Sequence, residues 1–231
     1  MKHGLIIIPA FNEEATIGDL VRKLRQEYPW EVVVVNDNSS DRTELFARQA
    51  GARVLTLRVR LGAWGAMQAG LRFAERRGCD FAITMDGDGQ HRPEDIPTLL
   101  NTLSAQSADV VIGSYCQRGS LLRKLTWSVL RTLANLDIQD ITSGFRVYNR
   151  AAIRRVTQED ATLLEYQDLG VLLILKNSHL RLTEAPVVMP RRQSGKSRIF
   201  NSWSAAFTYV LKSLILVLCK SCLQQSEPTY A

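Results

Sequence analysis

The sequence predicts an α/β fold, a mostly parallel sheet flanked by helices on both faces, and three observations carry that expectation. Short apolar runs at 5–10, 32–35, 81–85 and 109–113 have the length of buried strands rather than helices. Between the first two, Ile17, Leu20, Val21 and Leu24 repeat at helical spacing instead. Strand-like and helix-like stretches then alternate through the first half of the chain, the order expected of parallel strands joined by helical crossovers.

Taken in order, the strand at 5–10 runs through Pro9 into a loop, Phe11, Asn12, Glu13 and Glu14, and the helix that follows stops at Pro29. After the strand at 32–35, Asn36, Asp37, Asn38, Ser39, Ser40 and Asp41 form a cluster of turn and capping residues opening a second helix, to about residue 50. A third strand is expected at 53–58, a third helix at 62–77, and the fourth strand at 81–85. A helix near 93–103 and a strand at 109–113 follow. Beyond them the pattern loosens into a helix at 121–136, a loop entering a strand at 142–148, a helix at 163–176 and a strand at 180–188. Residues 190–197, rich in Arg, Ser and Gly, read as a mobile loop. Lys212 interrupts the apolar stretch 203–219, which falls short of the roughly 20 apolar residues a membrane-crossing helix needs. An amphipathic helix over 203–222 is expected, packed on the domain or lying on lipid or a membrane partner, with a polar tail at 223–231.

A chain of 231 residues suits one domain, or one domain with an appendage. Its net charge of +6 is concentrated between 176 and 220, where eight basic residues face Glu184 alone. That end should prefer anionic partners, and without any helix-turn-helix, zinc or RNA-binding signature these are phospholipid or a phosphorylated substrate rather than nucleic acid. Cys79, Cys116, Cys219 and Cys222 are too few and scattered for a disulfide framework, so reduced thiols are expected. Cys219 and Cys222 lack the second pair a structural zinc requires. The chain starts on a strand pattern with no signal peptide, which points to the cytoplasm.

Ligands of such sheets bind outside the carboxyl ends of the strands. Those ends carry Pro9 with Phe11 and Glu13, Asn36 with Asp37, and Asp86 with Asp88. Side chains two apart on extended chain point the same way, so Asp86 and Asp88 can face one oxygen-seeking cation, while Gly87 and Gly89 let a bulky anion approach the backbone. A turn capping the next helix is the competing reading. A calcium loop is not, because His91 and Pro97 stand where an EF-hand needs Gly and Glu.

Seven stretches occur in a telling order: 8–14 (Ile-Pro-Ala-Phe-Asn-Glu-Glu), 35–41 (Val-Asn-Asp-Asn-Ser-Ser-Asp), 61–70 (Leu-Gly-Ala-Trp-Gly-Ala-Met-Gln-Ala-Gly) and 85–91 (Met-Asp-Gly-Asp-Gly-Gln-His). The remaining three are 111–114 (Val-Ile-Gly-Ser), 140–146 (Asp-Ile-Thr-Ser-Gly-Phe-Arg) and 192–197 (Arg-Gln-Ser-Gly-Lys-Ser). In this the chain resembles glycosyltransferase family 2, in the branch similar to dolichyl-phosphate mannosyltransferases and bacterial polyprenyl-phosphate glycosyltransferases. The resemblance implies a GT-A type nucleotide-diphospho-sugar transferase domain over 1–202 with a mixed sheet, its nucleotide-sugar half near 1–115 and its acceptor half near 116–202. It further implies metal-dependent, inverting transfer of a hexose from a UDP- or GDP-sugar to a polyprenyl phosphate, dolichyl or undecaprenyl, in cell-envelope polysaccharide synthesis. The enzyme would sit peripherally at the inner, cytoplasmic face of the membrane, on the membrane surface or beside a small membrane subunit.

By the same resemblance Pro9, Phe11, Glu13, Asp37, Asp86 and Gly87 hold the nucleotide sugar, and Asp86, Asp88 and Gln90 hold a Mg²⁺ or Mn²⁺. Ser143, Arg146, Arg192, Lys196 and Ser197 face the acceptor phosphate, which a guanidinium grips with paired donors. Asp88, Arg146 and Arg192 are the candidate catalytic residues, with an ion pair to Asp140 as the alternative for Arg146. His91 is expected beside the metal rather than on it. No arrangement for activating a nucleophile is evident, and an anionic phosphate oxygen needs none. Asn36, Phe11, Arg60, Tyr115 and Gln139 depart from the family's pattern, which has an acid, Tyr, Asn, Arg and Arg there; Arg118 is a substitute for the charge missing at 115. Two further readings are a transferase to a glycan hydroxyl, with Asp168 or Asp140 as general base, and a non-catalytic nucleotide-sugar-binding scaffold using 203–220 to recruit a membrane partner.

Overall fold

Strands β1 (Gly4–Ala10), β2 (Glu31–Asn36), β3 (Arg53–Thr56), β4 (Phe81–Thr84), β5 (Val110–Ser114), β6 (Arg146–Asn149) and β7 (Leu182–Pro186) form one sheet in the order β3-β2-β1-β4-β6-β5-β7. The structure, a computed structural model, describes residues 3–115, 128, 131–132, 134–162, 164 and 169–189. Leu5, Ile6, Ile7 and Ile8 are inaccessible to solvent, as are Val32, Val33, Val34 and Val35, because helices cover both faces of the central strands. On one face Ile6, Ile8, Val32, Val34 and Ile83 pack with α1 (Ile17–Glu27), α2 (Thr43–Gln49) and α4 (Ile96–Ala105). On the other, Leu5, Ile7, Val33, Val35 and Ala82 pack with α3 (Gly62–Arg76), α5 (Arg150–Val156), α6 (Glu159–Thr162) and α7 (Leu169–Asn177). This is the predicted α/β sandwich of GT-A type.

Pairing is parallel between β1 and β2, β1 and β4, β2 and β3, and β5 and β7. Only β6 runs against its neighbours, antiparallel to both β4 and β5, which makes the sheet mixed. Its reversal sets Arg146 opposite both Thr84 and Ile112 and brings the loop before it to the carboxyl end of β4.

Several boundaries differ from those expected. β3 stops at Thr56 rather than 58, since as an edge strand its one partner ends there, with Asn36 opposite Thr56. The last described strand covers Leu182–Pro186, and the described part of the helix expected at 163–176 is Leu169–Asn177. Of the helix expected at 121–136, residues 128, 131, 132 and 134 are helical and the chain turns at Asn135, φ 48°. Helices α5 and α6 were not anticipated. A capping signal announced the first, for the Asn149 side chain accepts the Ala152 amide at 2.9 Å. Both serve α3: Gln68 Nε2 donates to Val156 O at 2.9 Å and Trp64 Nε1 to Ala161 O at 2.8 Å, so the polar groups on its buried face are paired. The loop at 190–197, the helix at 203–222 and the tail at 223–231 lie outside the described residues. Among those described, no helix is long and apolar enough to cross a membrane.

Gly70 lets α3 settle onto β1 and β2, since a Cβ there would stand 2.3 Å from Ile7 Cγ2 and 3.2 Å from Val35 Cγ2. Gly70→Ala should cost about 1–3 kcal/mol by overpacking. Chemical denaturation checks this, and wild-type stability in the variant would show that the contact yields freely.

Candidate active site

The parallel strands end together, and the loops that leave them are sewn to one another by side-chain oxygens that take orphaned backbone amides. Asn12, at φ 53°, donates its amide to Ser39 Oγ at 3.0 Å and accepts the Ser40 amide on Oδ1 at 2.9 Å. The Glu13 amide goes to Thr43 Oγ1 at 2.8 Å and the Glu14 amide to Asp41 Oδ2 at 3.2 Å. Burial pushes the Asp41 carboxyl up, but the Thr43 hydroxyl and the Thr43 and Glu14 amides outweigh it and hold the group below the usual carboxylate value. These bonds lock the loop after β1 to the loop after β2.

Asp37 performs the same service for the third loop. It is buried, and its oxygens accept the amides of Leu61 at 2.7 Å and Gly62 at 2.9 Å, where α3 begins. Those are amides that a helix start leaves unsatisfied, and the positive end of the helix dipole favours the carboxylate. So pinned, the loop carries the Arg60 guanidinium over the half-buried Phe11 ring, 3.9 Å from its centroid. Two departures from the family's pattern, at 11 and 60, are thus one contact.

At the end of β4 the chain turns through Gly89, φ 78°, with Asp88 Oδ1 accepting the Gln90 amide at 3.0 Å. Asp88 is 5% exposed. Gly87 lies against Pro9 and Glu13, where a Cβ would come 3.5 Å from Pro9 O and 3.6 Å from Glu13 Cγ, and its carbonyl accepts the Thr16 hydroxyl at 2.6 Å. The Asp86 side chain stays 42% exposed. Its oxygens receive no hydrogen bond from any described residue; His91 Nε2 stands 3.7 Å from Oδ2. Capping and metal-binding were competing readings of this turn. Asp88 caps through Oδ1, and Asp86 caps nothing among the described residues.

The loop ahead of β6 closes the far side. Thr84 Oγ1 donates to Gly144 O at 2.9 Å, and a Cβ on Gly144 would stand 2.8 Å from Asp86 Oδ1. Ser143 is buried, with Oγ accepting the Phe145 amide at 3.3 Å. Arg146 is wholly buried: Nε donates to Ser143 O at 2.9 Å, Nη2 to Ile141 O at 3.1 Å, and Nη1 has no partner among the described residues. It holds the loop from beneath by carbonyls rather than through an ion pair with Asp140. Asp140 is itself engaged, Oδ1 with the Thr142 amide and hydroxyl at 3.2 Å and Oδ2 with the Tyr115 amide at 3.5 Å. The structure therefore gathers Pro9, Phe11, Glu13, Asp37, Asp86, Gly87, Asp88, Gln90, Ser143 and Arg146 around neighbouring strand ends. Arg192, Lys196, Ser197, Arg118 and Asp168 lie outside the described residues. Thr84 and Gly144 were missed as site residues; Gly144 stood in a recognised stretch, but its contact with Asp86 needs the reversed strand.

A mixed α/β sheet with carboxylates gathered at one edge is the architecture observed. Residues 5–157 match the family model for glycosyl transferase family 2, and the chain belongs to that family, as a glycosyltransferase. It is 31% identical over 215 residues to an undecaprenyl-phosphate mannosyltransferase of Micrococcus luteus, covering 84% of this chain and 86% of that one. A polyprenol monophosphomannose synthase of Mycolicibacterium smegmatis is 28% identical over 222 residues, covering 87% and 82%. Among solved structures, glucosyl-3-phosphoglycerate synthase from Mycobacterium tuberculosis, with Mn²⁺, UDP and phosphoglyceric acid, superposes with TM-score 0.74 at 20% identity, over 95% of this chain and 78% of that one. At that identity it shows the shared fold.

Asp37→Asn turns one amide-accepting oxygen into a donor and should destabilise the protein by about 2 kcal/mol, the range for a buried hydrogen bond to a charged group. Urea denaturation measures this. An unchanged midpoint would mean the carboxylate does not hold α3.

Proposed function

We propose that the protein moves a hexose from a UDP- or GDP-sugar to a polyprenyl phosphate at the cytoplasmic face of a membrane, inverting the sugar's configuration. The observation that carries this reading is the Asp86 carboxylate, partly exposed at the carboxyl edge of the sheet and given no hydrogen bond by the described protein, where neighbouring Asp37, Asp41, Asp88 and Asp140 all cap backbone amides. A carboxylate left over in such a place is available to a ligand.

Two carboxylates and an amide oxygen, from Asp86, Asp88 and Gln90, form a hard donor set that fits Mg²⁺ or Mn²⁺, and a cation there neutralises the charge that grows on the departing nucleotide diphosphate. Gly87, buried against Pro9 and Glu13, holds the turn that carries Asp86 and Asp88 close to the loop after β1. Asp37 keeps the start of α3 in place while Phe11 offers a ring, and Arg60 a positive charge, at the nucleotide edge. On the acceptor side Arg146 shapes the loop bearing Ser143, and Arg192, Lys196 and Ser197 supply charge and hydroxyl to the phosphate. The names of the Micrococcus and Mycolicibacterium relatives support a polyprenyl-phosphate acceptor. The amphipathic stretch at 203–222 would hold the enzyme to the membrane surface or a small membrane subunit.

Transfer to a glycan hydroxyl is less well supported. It requires a general base, Asp168 or Asp140: Asp140, 4% exposed with both oxygens engaged, is poorly placed to be one, and Asp168 lies outside the described residues.

Purified protein incubated with Mn²⁺, a panel of UDP- and GDP-sugars and undecaprenyl phosphate should yield a lipid-linked sugar. No product across the panel would sink the proposal. Asp88→Asn keeps an oxygen for the Gln90 amide but removes the charge, and should lower turnover by about 100-fold or more with little change in melting temperature. Wild-type turnover in that variant would remove Asp88 from the reaction.

A further inference from the structure

His91 is held in place by more than a side chain next to a ligand needs. Its ring is 2% exposed and stacks on Phe145, centroids 5.1 Å apart at 18°. Nδ1 accepts the Asp86 amide at 2.8 Å, which leaves the ring's own proton on Nε2. That nitrogen is buried and makes no hydrogen bond, yet it stands 3.7 Å from Oδ2 of the same Asp86. An unpaired buried N–H is costly, and nothing in the packing of the ring accounts for it.

The opposite side of the carboxylate is bounded as well. Gly144, tied to β4 by the Thr84 hydroxyl at 2.9 Å, lies so close that a Cβ would stand 2.8 Å from Oδ1 and 3.2 Å from Oδ2. Between this wall and the imidazole the carboxylate has a short path, and a movement of under about 1 Å brings Oδ2 into hydrogen-bonding distance of Nε2.

We propose that His91 is a positioning residue for Asp86: it grips the main chain of that residue through Nδ1 and, when a divalent cation binds, its carboxylate through Nε2–H. One ring then fixes both ends of the ligand, and the oxygen lone pairs not used by the imidazole are aimed at the cation. This rests on the reading of Asp86 as a metal ligand and extends it to a residue that touches neither cation nor sugar. Partners of this kind change metal affinity by about 10–100-fold.

Two substitutions separate the halves of the grip. In His91→Asn the amide oxygen takes the place of Nδ1 and the distal donor is lost. In His91→Gln the amide nitrogen reaches the place of Nε2 and the acceptor is lost. Mn²⁺ affinity, measured by the electron paramagnetic resonance of the free ion with UDP present, should fall about tenfold in His91→Asn and stay near wild type in His91→Gln. Metal-free melting temperature should follow the reverse order. Equal affinity in wild type and His91→Asn overturns the inference while leaving Asp86 a ligand. A wild type that binds no Mn²⁺ overturns the inference together with the reading beneath it. Should either variant fail to fold, nitrogen-15 spectra of the wild type decide: on adding Mg²⁺ the Nε2 proton of His91 should move downfield and exchange more slowly, and an unmoved signal overturns the proposal.

Discussion

Parallel strands that stop at a common edge leave backbone amides which no ladder can satisfy, and this constraint shapes everything around the site. The chain meets it with short oxygen-bearing side chains from the next loop over: Ser39 and Thr43 for the loop after β1, Asp41 for Glu14, Asp37 for the start of α3, Asp140 for Tyr115. Each bond crosses from one strand's loop to another's, so the loops after β1, β2 and β3 form one connected rim. The polar richness of this edge is in the first place structural.

Asp86 is the exception among the aspartates of this edge. Asp86 leaves β4 with its amide on His91 and its carboxylate on nothing but solvent and the edge of an imidazole. The antiparallel strand β6 makes the exception durable, because the Thr84 to Gly144 hydrogen bond draws the preceding loop against that carboxylate and walls it in. Arg146, buried beneath the same loop and bonded to the carbonyls of Ile141 and Ser143, braces it from the sheet side.

Much of this was legible from the chain. Apolar runs located β1, β2, β4 and β5, helical spacing located α1, and the alternation of elements placed β3 and α3 between them, because burial on two faces or on one stripe leaves a local pattern of period. Asn36, Asp37 and Asp41 were recognisable as turn and capping residues, though Asp37 caps α3, 24 residues on, rather than the adjacent helix. The weaker second half concealed α5 and α6, short helices whose reason for existing is the buried face of α3 with Trp64 and Gln68.

Residue types, their spacing and their order were enough to specify a layered α/β domain of family 2 with Asp86 and Asp88 at a strand end, since those features are written locally. Which of the two carboxylates caps and which is left over, why Gly144 must be glycine, and how Arg60 comes to rest on Phe11 were not. The cap is a contact two residues apart that local sequence allowed to either carboxylate, whereas the last two depend on segments 58 and 49 residues apart in the chain, joined only when strands pair, and pairing of that range is fixed by the packing of the whole sheet rather than by any stretch within it.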